Sequence, residues 1–311
     1  MMPRASGFAL LVMAYGSPHS LQDVERYLTH IRGGRRPTRE EVERLRARYE
    51  AIGGRSPLPQ ITRAQARALE LELRRRGYDV ESHVGMLHSE PFIEDVVARL
   101  LAGGVKHIVA LPLTPFTSRL STGMYERRVM EAMGVYPHPP RLTLLRGWNR
   151  HPGFIEAWVE RVRAGLDAQG SSKPMVVFTA HSLPSRVLEW GDPYPQQVRE
   201  TCELIAGALG LGAWSLAYQS VGMGGGEWLG PEILEELGRL MGEGHRDFLV
   251  VPVGFVSDHL EVLYDIDVEC RRFAEAHGAR LMRVESLNDS PTFIRALASI
   301  VEEGVKAHGP G

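Results

Sequence analysis

Cysteine is scarce in this chain of 311 residues, which contains only Cys202 and Cys270. The two lie far apart and form no CxxC pair. This argues against a disulfide framework, a cysteine-rich zinc site and a four-cysteine iron–sulfur cluster. A reducing compartment such as the cytoplasm is therefore the expected location.

Long apolar runs are also missing. The run that begins at Phe8 holds about seven residues, fewer than the roughly 20 that a membrane-spanning helix requires. Residues 1–7 lack the longer apolar core and the small-residue cleavage site of a secretory signal. We therefore expect no transmembrane segment.

The chain has no large excess of charge and no familiar nucleotide or zinc motif. Its net charge of -2 gives no reason to expect a nucleic-acid partner. The glycine-rich residues 222–226 do not fit the GxGxxG spacing, because position 227 is Glu227, and no Gly-Lys-Ser/Thr follows. There is also no HExxH sequence. We expect residues 222–226 to form a loop at the mouth of a cleft.

Apolar strand-like segments alternate with helical ones, which predicts parallel sheets with helices on both faces. The predicted strands lie near residues 8–14, 80–85, 105–111, 141–147, 174–179, 213–219, 247–253 and 279–284. The longest predicted helices lie near 60–76, 151–167, 194–209 and 290–307. A linker-like stretch at 168–173 divides the chain into predicted domains 1–168 and 169–311.

Residues 149–157 and 288–296 indicate an internal repeat. Both follow the fourth strand of their half and share Asn, Pro, Phe, Ile and Ala in one register. Helix capping alone favours Asn and Pro there, but it does not explain the shared Phe-Ile-x-Ala. A repeat would give two similar α/β lobes with parallel sheets. Tyr15 and His181, each after the first strand of its half, would then face each other across a cleft.

Two apolar strands each lead to an ionisable side chain. The strand near 174–179 runs into His181, and the strand near 247–253 is followed by Glu261. Open α/β sheets bind ligands beyond the carboxyl ends of their strands. An imidazole nitrogen and a carboxylate can hold a divalent metal weakly and move protons. The alternative for His181 is an ordinary surface or turn histidine.

Glu261, Asp265 and Glu269 form a row at i, i+4 and i+8. On an α-helix these positions stay on one side and drift by about 40° per step. A π-bulge would align them better. The row suits cation access or proton exit, and the alternative is a solvated acidic face. Helical spacing also predicts that His259 and Glu261 point to different faces.

Arginine is concentrated early in the chain. Eight arginines stand against four glutamates between Arg32 and Arg55. Arginine pairs with carboxylates or phosphates in bidentate fashion, so an anionic small molecule is the functional interpretation. A solvated helix with i,i+4 pairs such as Glu40–Arg44 explains part of the patch.

Seven segments carry a family resemblance, and they stand in the family's order: 11–18 (LVMAYGSP), 48–58 (RYEAIGGRSPL), 90–95 (EPFIED), 180–184 (AHSLP), 191–195 (GDPYP), 228–231 (WLGP) and 258–265 (DHLEVLYD). The chain resembles the ferrochelatases, in detail the coproporphyrin ferrochelatases of Gram-positive-type bacteria. This implies two Rossmann-like lobes with a porphyrin in the cleft between them.

The resemblance implies insertion of Fe(II), as a substrate, into coproporphyrin III. It assigns metal binding and catalysis to His181 and Glu261, and it places Tyr15 near the iron on the other face of the ring. The implied porphyrin contacts are Arg32, Arg48, Tyr49, Ser56 and Tyr125. Asp265 and Glu269 match an outer cation site that can take Mg²⁺. No tightly bound cofactor and no iron–sulfur cluster are expected, since the chain shows no C-terminal cysteine-bearing extension.

Two positions depart from the family. Relatives often carry a histidine where Phe116 stands, and a lysine where Leu87 precedes His88. We expect a monomer with a porphyrin as its partner and transient contacts with other haem-pathway enzymes. Three alternatives stay open: a protoporphyrin IX ferrochelatase, a tetrapyrrole carrier without activity, and metal-dependent hydrolysis at His181 and Glu261.

Overall fold

The computed structural model describes residues 7–170, 173–222 and 226–307. Residues 171 and 172 of the predicted linker, and 223–225 of the predicted glycine-rich loop, lie outside this part. The first half contains β1 (Phe8–Ala14), a 3-10 turn (Leu21–Asp23), α1 (Val24–Ile31), α2 (Arg39–Ala51), α3 (Leu58–Arg75), β2 (Val80–Met86), α4 (Ile93–Ala102), β3 (His107–Pro112), α5 (Thr122–Gly134), β4 (Arg141–Leu144) and α6 (Pro152–Asp167).

The second half repeats this pattern. It contains β5 (Met175–His181), α7 (Arg186–Glu189), α8 (Tyr194–Leu209), β6 (Trp214–Gln219), α9 (Ile233–Gly242), β7 (Asp247–Val251), a π-helix (Val262–Cys270), α10 (Arg271–Ala276), β8 (Arg280–Arg283) and α11 (Pro291–Ala307). Within the residues described, no helix is both long enough and apolar enough to cross a membrane.

The strands form two parallel four-stranded sheets with the same topology. The first has the order β2-β1-β3-β4 and the second β6-β5-β7-β8. The first strand of each half therefore occupies an equivalent central position. Tyr15 follows β1, and His181 is the last residue of β5. The predicted α/β class with two similar lobes is confirmed.

Strand β1 shows why the sheets are covered on both faces. All of its residues are buried and apolar, as expected of a central parallel strand between two helical layers. Leu10 and Val12 join a core with α3, while Leu11 and Met13 join a separate core with α4 and α5. The alternation of side chains along the strand thus supplies both layers.

The last helix of each half packs against the other half. Helix α11 lies on α3, and a Cβ at Gly304 would lie 2.1 Å from Leu145 Cδ2. Helix α6 packs on α8 and β7, and a Cβ at Gly165 would lie 3.0 Å from Val284 Cγ2. One hydrophobic core therefore continues through both halves. The division into 1–168 and 169–311 stays a prediction.

Gly254 lets the chain after β7 lie directly against the end of β5. Its N–H donates to the carbonyl oxygen of Thr179 at 2.9 Å. A Cβ at Gly254 would lie 2.6 Å from the Cα of Ala180, closer than side-chain carbons approach backbone. The absent side chain therefore brings the segment that leads to Glu261 against the residue before His181.

We expect Gly254→Ala to lower the free energy of unfolding by about 1–3 kcal/mol, the usual cost of overpacking a well-packed site. Urea denaturation of the variant and the wild-type protein measures this loss. The matched control is Gly207→Ala in α8, where an added Cβ meets no atom within 4 Å. There we expect a gain of about 0.5–1 kcal/mol from helix propensity. Equal stability of both variants would contradict the steric argument.

Candidate active site

His181 and Glu261 meet at one edge of the second sheet. His181 ends β5, which lies between β6 and β7. After β7 the chain crosses a short loop and begins a helix at Leu260. Because parallel strands end at the same edge, the two side chains come together, and His181 Nε2 lies 3.5 Å from Glu261 Oε2.

Electrostatics makes this contact an ion pair. Burial opposes a charge on His181, but the Glu261 carboxylate outweighs it and raises the pKa of His181 to about 9. Burial likewise opposes a charge on Glu261, yet His181 and then His259 hold the pKa of that carboxyl well below its usual range. A metal ion that binds the imidazole nitrogen at neutral pH must therefore displace a proton.

His259 belongs to the same cluster, which corrects the prediction that it and Glu261 point to different faces. That prediction assumed a helix through both residues, but the helix begins at Leu260. His259 Nε2 lies 3.5 Å from Glu261 Oε2, and Nδ1 lies 3.2 Å from the carbonyl oxygen of Ser257. The ring packs on Phe255, with centroids 4.6 Å apart. Its position two residues before Glu261 was the signal in the sequence that could have predicted its place in the cluster.

The acidic row lies along the π-helix. The wider turn of a π-helix aligns residues four apart better than an α-helix does. Asp265 is nearly buried, and burial raises its pKa to about 6 although Arg48 opposes the rise. Glu269 is exposed. In the described part of the chain, no three His, Cys, Asp or Glu side chains converge as a metal site.

Comparisons with known proteins agree with this geometry. The ferrochelatase family profile matches residues 7–305. The chain belongs to the ferrochelatase family. It is 43% identical to the coproporphyrin III ferrochelatase of Geobacillus thermodenitrificans over 306 residues, which cover 96% of each protein. It is 40% identical to the ferrochelatase of Herpetosiphon aurantiacus over 297 residues, which cover 94% of this chain and 97% of that protein. The protein is thus an enzyme of the metal chelatase class.

A solved structure of another protein has the same fold as this ferrochelatase, although the two sequences are much less similar. SirB from Bacillus subtilis, in its structure with Fe3+, superposes with a TM-score of 0.61 at 15% identity, and 97% of each chain is covered. This likeness concerns the fold alone. It supports the two-lobed architecture in which the His181–Glu261 pair lies.

Tyr15 directly follows β1 in the first lobe of the ferrochelatase. Its ring packs on His88, with centroids 4.6 Å apart, and 42% of its surface is exposed. The surrounding protein desolvates the hydroxyl and, with the Glu261 carboxylate, raises the pKa of Tyr15. The prediction that Tyr15 faces His181 across a cleft stays a prediction.

The remaining predicted tyrosines and the serine are mostly buried. Tyr49 shares a small core with Leu260, the residue before Glu261, and this core joins the two lobes near the site. Tyr125 belongs to α5 and lies in the core that α5 shares with α4 and β1. Ser56 Oγ accepts the N–H of Leu58 at 3.2 Å, at the start of α3. Only small surfaces of these three side chains reach solvent.

The two predicted arginines both have carboxylate partners. Arg32 Nη1 donates to Glu41 Oε2 at 2.8 Å. Arg48 pairs with Asp265 and lies over the ring of Tyr264, 4.8 Å from its centroid. Arg48 therefore links α2 of the first lobe to the π-helix of the second. A substrate carboxylate at either arginine has to share or replace an existing partner.

The two departures from the family are accommodated by packing. Phe116 is fully buried and meets Tyr194 edge-on, and the Tyr194 hydroxyl donates to the carbonyl oxygen of His181 at 2.8 Å. Leu87 is buried in the core of the first lobe. His88 Nδ1 lies 3.0 Å from His30 Nδ1. Burial, more than the charges of His30 and Arg128, lowers the pKa of His88 to about 4 and keeps it neutral.

Proposed function

We propose that this ferrochelatase inserts Fe(II) into coproporphyrin III to form Fe-coproporphyrin in haem biosynthesis. The observation that carries the proposal is the His181–Glu261 pair, whose imidazole nitrogen and carboxylate oxygen lie 3.5 Å apart. One nitrogen and one carboxylate hold a divalent metal weakly, and weak binding is what transfer to a ring requires.

The chemistry follows from the charges of the pair. A porphyrin loses two pyrrole protons as it gains a metal, so the site must also accept protons. His181 can hold a metal or a proton, but not both at once. Glu261 stays ionised and can attract the cation while the carboxylate row leads protons away. A cleft that favours a bent ring would expose the pyrrole nitrogens and lower the barrier.

An anaerobic assay with Fe(II) tests the function. Purified protein is given coproporphyrin III and protoporphyrin IX side by side, and metal insertion is followed by absorption. We expect many turnovers, with the higher kcat/KM for coproporphyrin III. At most one ring per chain would indicate a tetrapyrrole carrier. Hydrolysis of an ester substrate with no insertion would indicate the metal-dependent hydrolase.

Arginine substitutions test the choice of substrate. Coproporphyrin III carries four propionates and protoporphyrin IX two, so arginines at the cleft have more to gain from the former. A charge-assisted hydrogen bond contributes about 1.5–3 kcal/mol, so we expect Arg32→Ala and Arg48→Ala to weaken coproporphyrin affinity about 10- to 100-fold. The loss of affinity for protoporphyrin IX should be smaller. Raised salt should reduce the preference of the wild-type protein for coproporphyrin III over protoporphyrin IX.

The readout for these variants is a fluorescence titration with both porphyrins. Arg44→Ala is the matched control, because Arg44 is exposed and pairs with Glu40 within α2. Equal losses for the two rings, or a wild type that prefers protoporphyrin IX, would refute the coproporphyrin assignment and leave the chelatase assignment standing.

Tyr15→Phe tests whether the first lobe reaches the inserted iron. We expect the absorption spectrum of the product complex to change, while porphyrin affinity stays within about threefold, because the hydroxyl is one polar contact among several. Tyr136→Phe, in the loop before β4, is the control. An unaltered product spectrum would show that the Tyr15 hydroxyl does not reach the iron.

The remaining proposals concern the surroundings of the enzyme. Asp265 and Glu269 are proposed to attract an outer cation such as Mg²⁺, which requires Arg48 to release Asp265. We further propose a cytoplasmic monomer with transient contacts to other haem-pathway enzymes. Equilibrium sedimentation with and without Mg²⁺ tests the monomer, and isothermal titration tests the cation.

A further inference from the structure

The end of strand β6 is bonded to the strand that carries His181. Gln219, the last residue of β6, is the register partner of His181 in the parallel ladder. Its carbonyl oxygen accepts the N–H of Ser182 at 2.8 Å, which continues the ladder one step beyond His181. The backbone of Gln219 therefore fixes the end of β5.

The side chain of Gln219 reaches the other member of the pair. It is fully buried, and its Nε2 donates to the backbone carbonyl oxygen of Glu261 at 3.1 Å. Because β5 lies between β6 and β7, this bond passes the end of β5 to join β6 to the helix that follows β7. The acceptor is a carbonyl, so the amide must present its nitrogen to it.

The remaining atom of this amide argues against a space-filling role. Among the residues described, Gln219 Oε1 is buried without a hydrogen-bond partner. An unpaired buried oxygen is unfavourable, and an apolar side chain of the same length would avoid it. What an apolar side chain cannot supply is the donor that holds Glu261.

The next residue provides a second attachment to the same helix. Ser220 adopts a φ of 60°, which residues other than glycine rarely do. Its Oγ donates to Asp265 Oδ2. Gln219 at the end of β6 and Ser220 directly after it therefore hold Glu261, which immediately precedes the π-helix, and Asp265 in its first turn.

We propose that Gln219 is a positioning residue for metal binding, which holds Glu261 at the distance from His181 where both side chains reach one ion. Two donor atoms at about 2.1 Å from a metal in tetrahedral geometry lie about 3.4 Å apart. The structure places His181 Nε2 and Glu261 Oε2 at 3.5 Å. The inference rests on the proposed function, because it adds a residue to the same site.

Gln219→Met tests the proposal, since methionine keeps the length of the side chain and removes both the donor and the unpaired oxygen. The probe is Co(II), titrated without porphyrin and followed by its visible absorption. We expect Co(II) affinity and kcat/KM for Fe(II) to fall about tenfold, the effect of losing one hydrogen bond, with KM for porphyrin unchanged. The thermal midpoint should equal or exceed that of wild type.

A space-filling role would give the opposite pattern, a lower thermal midpoint with unchanged Co(II) affinity. Gln219→Asn keeps the amide, but its shorter side chain cannot reach the carbonyl oxygen of Glu261, so Co(II) affinity should fall as much as in Gln219→Met. This second variant tests the proposal if Gln219→Met does not fold. Tyr218→Phe, one residue earlier on the other face of β6, should match wild type. Wild-type Co(II) affinity in both Gln219 variants would overturn the inference. A wild type that inserts no iron would overturn the proposed function instead.

Discussion

His181→Ala is expected to lower the rate of iron insertion by about 1000-fold or more, which corresponds to about 4 kcal/mol of transition-state stabilisation. The substitution removes both the nitrogen ligand and the imidazole that exchanges its proton for the metal. Porphyrin affinity should stay within about threefold of wild type, because no hydrogen bond to a propionate is lost. An anaerobic insertion assay and a fluorescence titration measure the two quantities separately.

The matched control is His277→Ala. His277 is exposed after α10, where its Nδ1 contacts the carbonyl oxygen of Phe273. The His277→Ala variant should insert iron at the wild-type rate. Near wild-type turnover of His181→Ala would remove His181 from the centre of the mechanism, whereas a parallel loss of porphyrin binding would make it a substrate contact.

Glu261→Gln is expected to lower the insertion rate by about 100-fold, or about 2.7 kcal/mol. The change keeps the shape of the side chain and removes the charge that attracts the cation. It should also lower the pKa of His181 from about 9, because the carboxylate raises that pKa and burial alone lowers it. The charged form of His181 would then be less favoured, so stronger protonation of His181 could not explain the lost activity.

Two measurements check this prediction, the anaerobic rate and an NMR titration of the His181 ring. Glu275→Gln, an exposed glutamate on α10, is the control and should change neither. Retained activity in Glu261→Gln would favour the alternative interpretation, in which the carboxylate row is only a solvated acidic face. An unchanged pKa of His181 would show that the ion pair does not form in solution.

Much of the fold follows from local pattern. The apolar strands and the alternating helices predicted both sheets, and the shared Phe-Ile-x-Ala predicted the repeat that the two topologies display. The fourth strand was predicted to reach residue 147, but β4 ends at Leu144. Gly147, with a φ of 66°, turns the chain away from the sheet soon afterwards. Apolar content alone does not mark that turn.

The candidate site was predicted unevenly. His181 and Glu261 were found because each follows an apolar strand, and strand ends meet at one edge of a parallel sheet. His259 was missed because helical spacing was applied one residue before the helix begins. The bond from Gln219 to Glu261 joins residues 42 apart, and no local pattern marks it.

The sequence by itself determined the class of fold, the repeat and the side chains that end the two central strands, because the hydrophobic period and the succession of elements can be read along the chain. Only the tertiary structure decided which charges meet. Arg48 and Asp265 are 217 residues apart, and their pairing depends on how the two lobes pack. The same packing desolvates the His181–Glu261 pair. The charge state of the pair depends on this desolvation and on the distance between the two side chains.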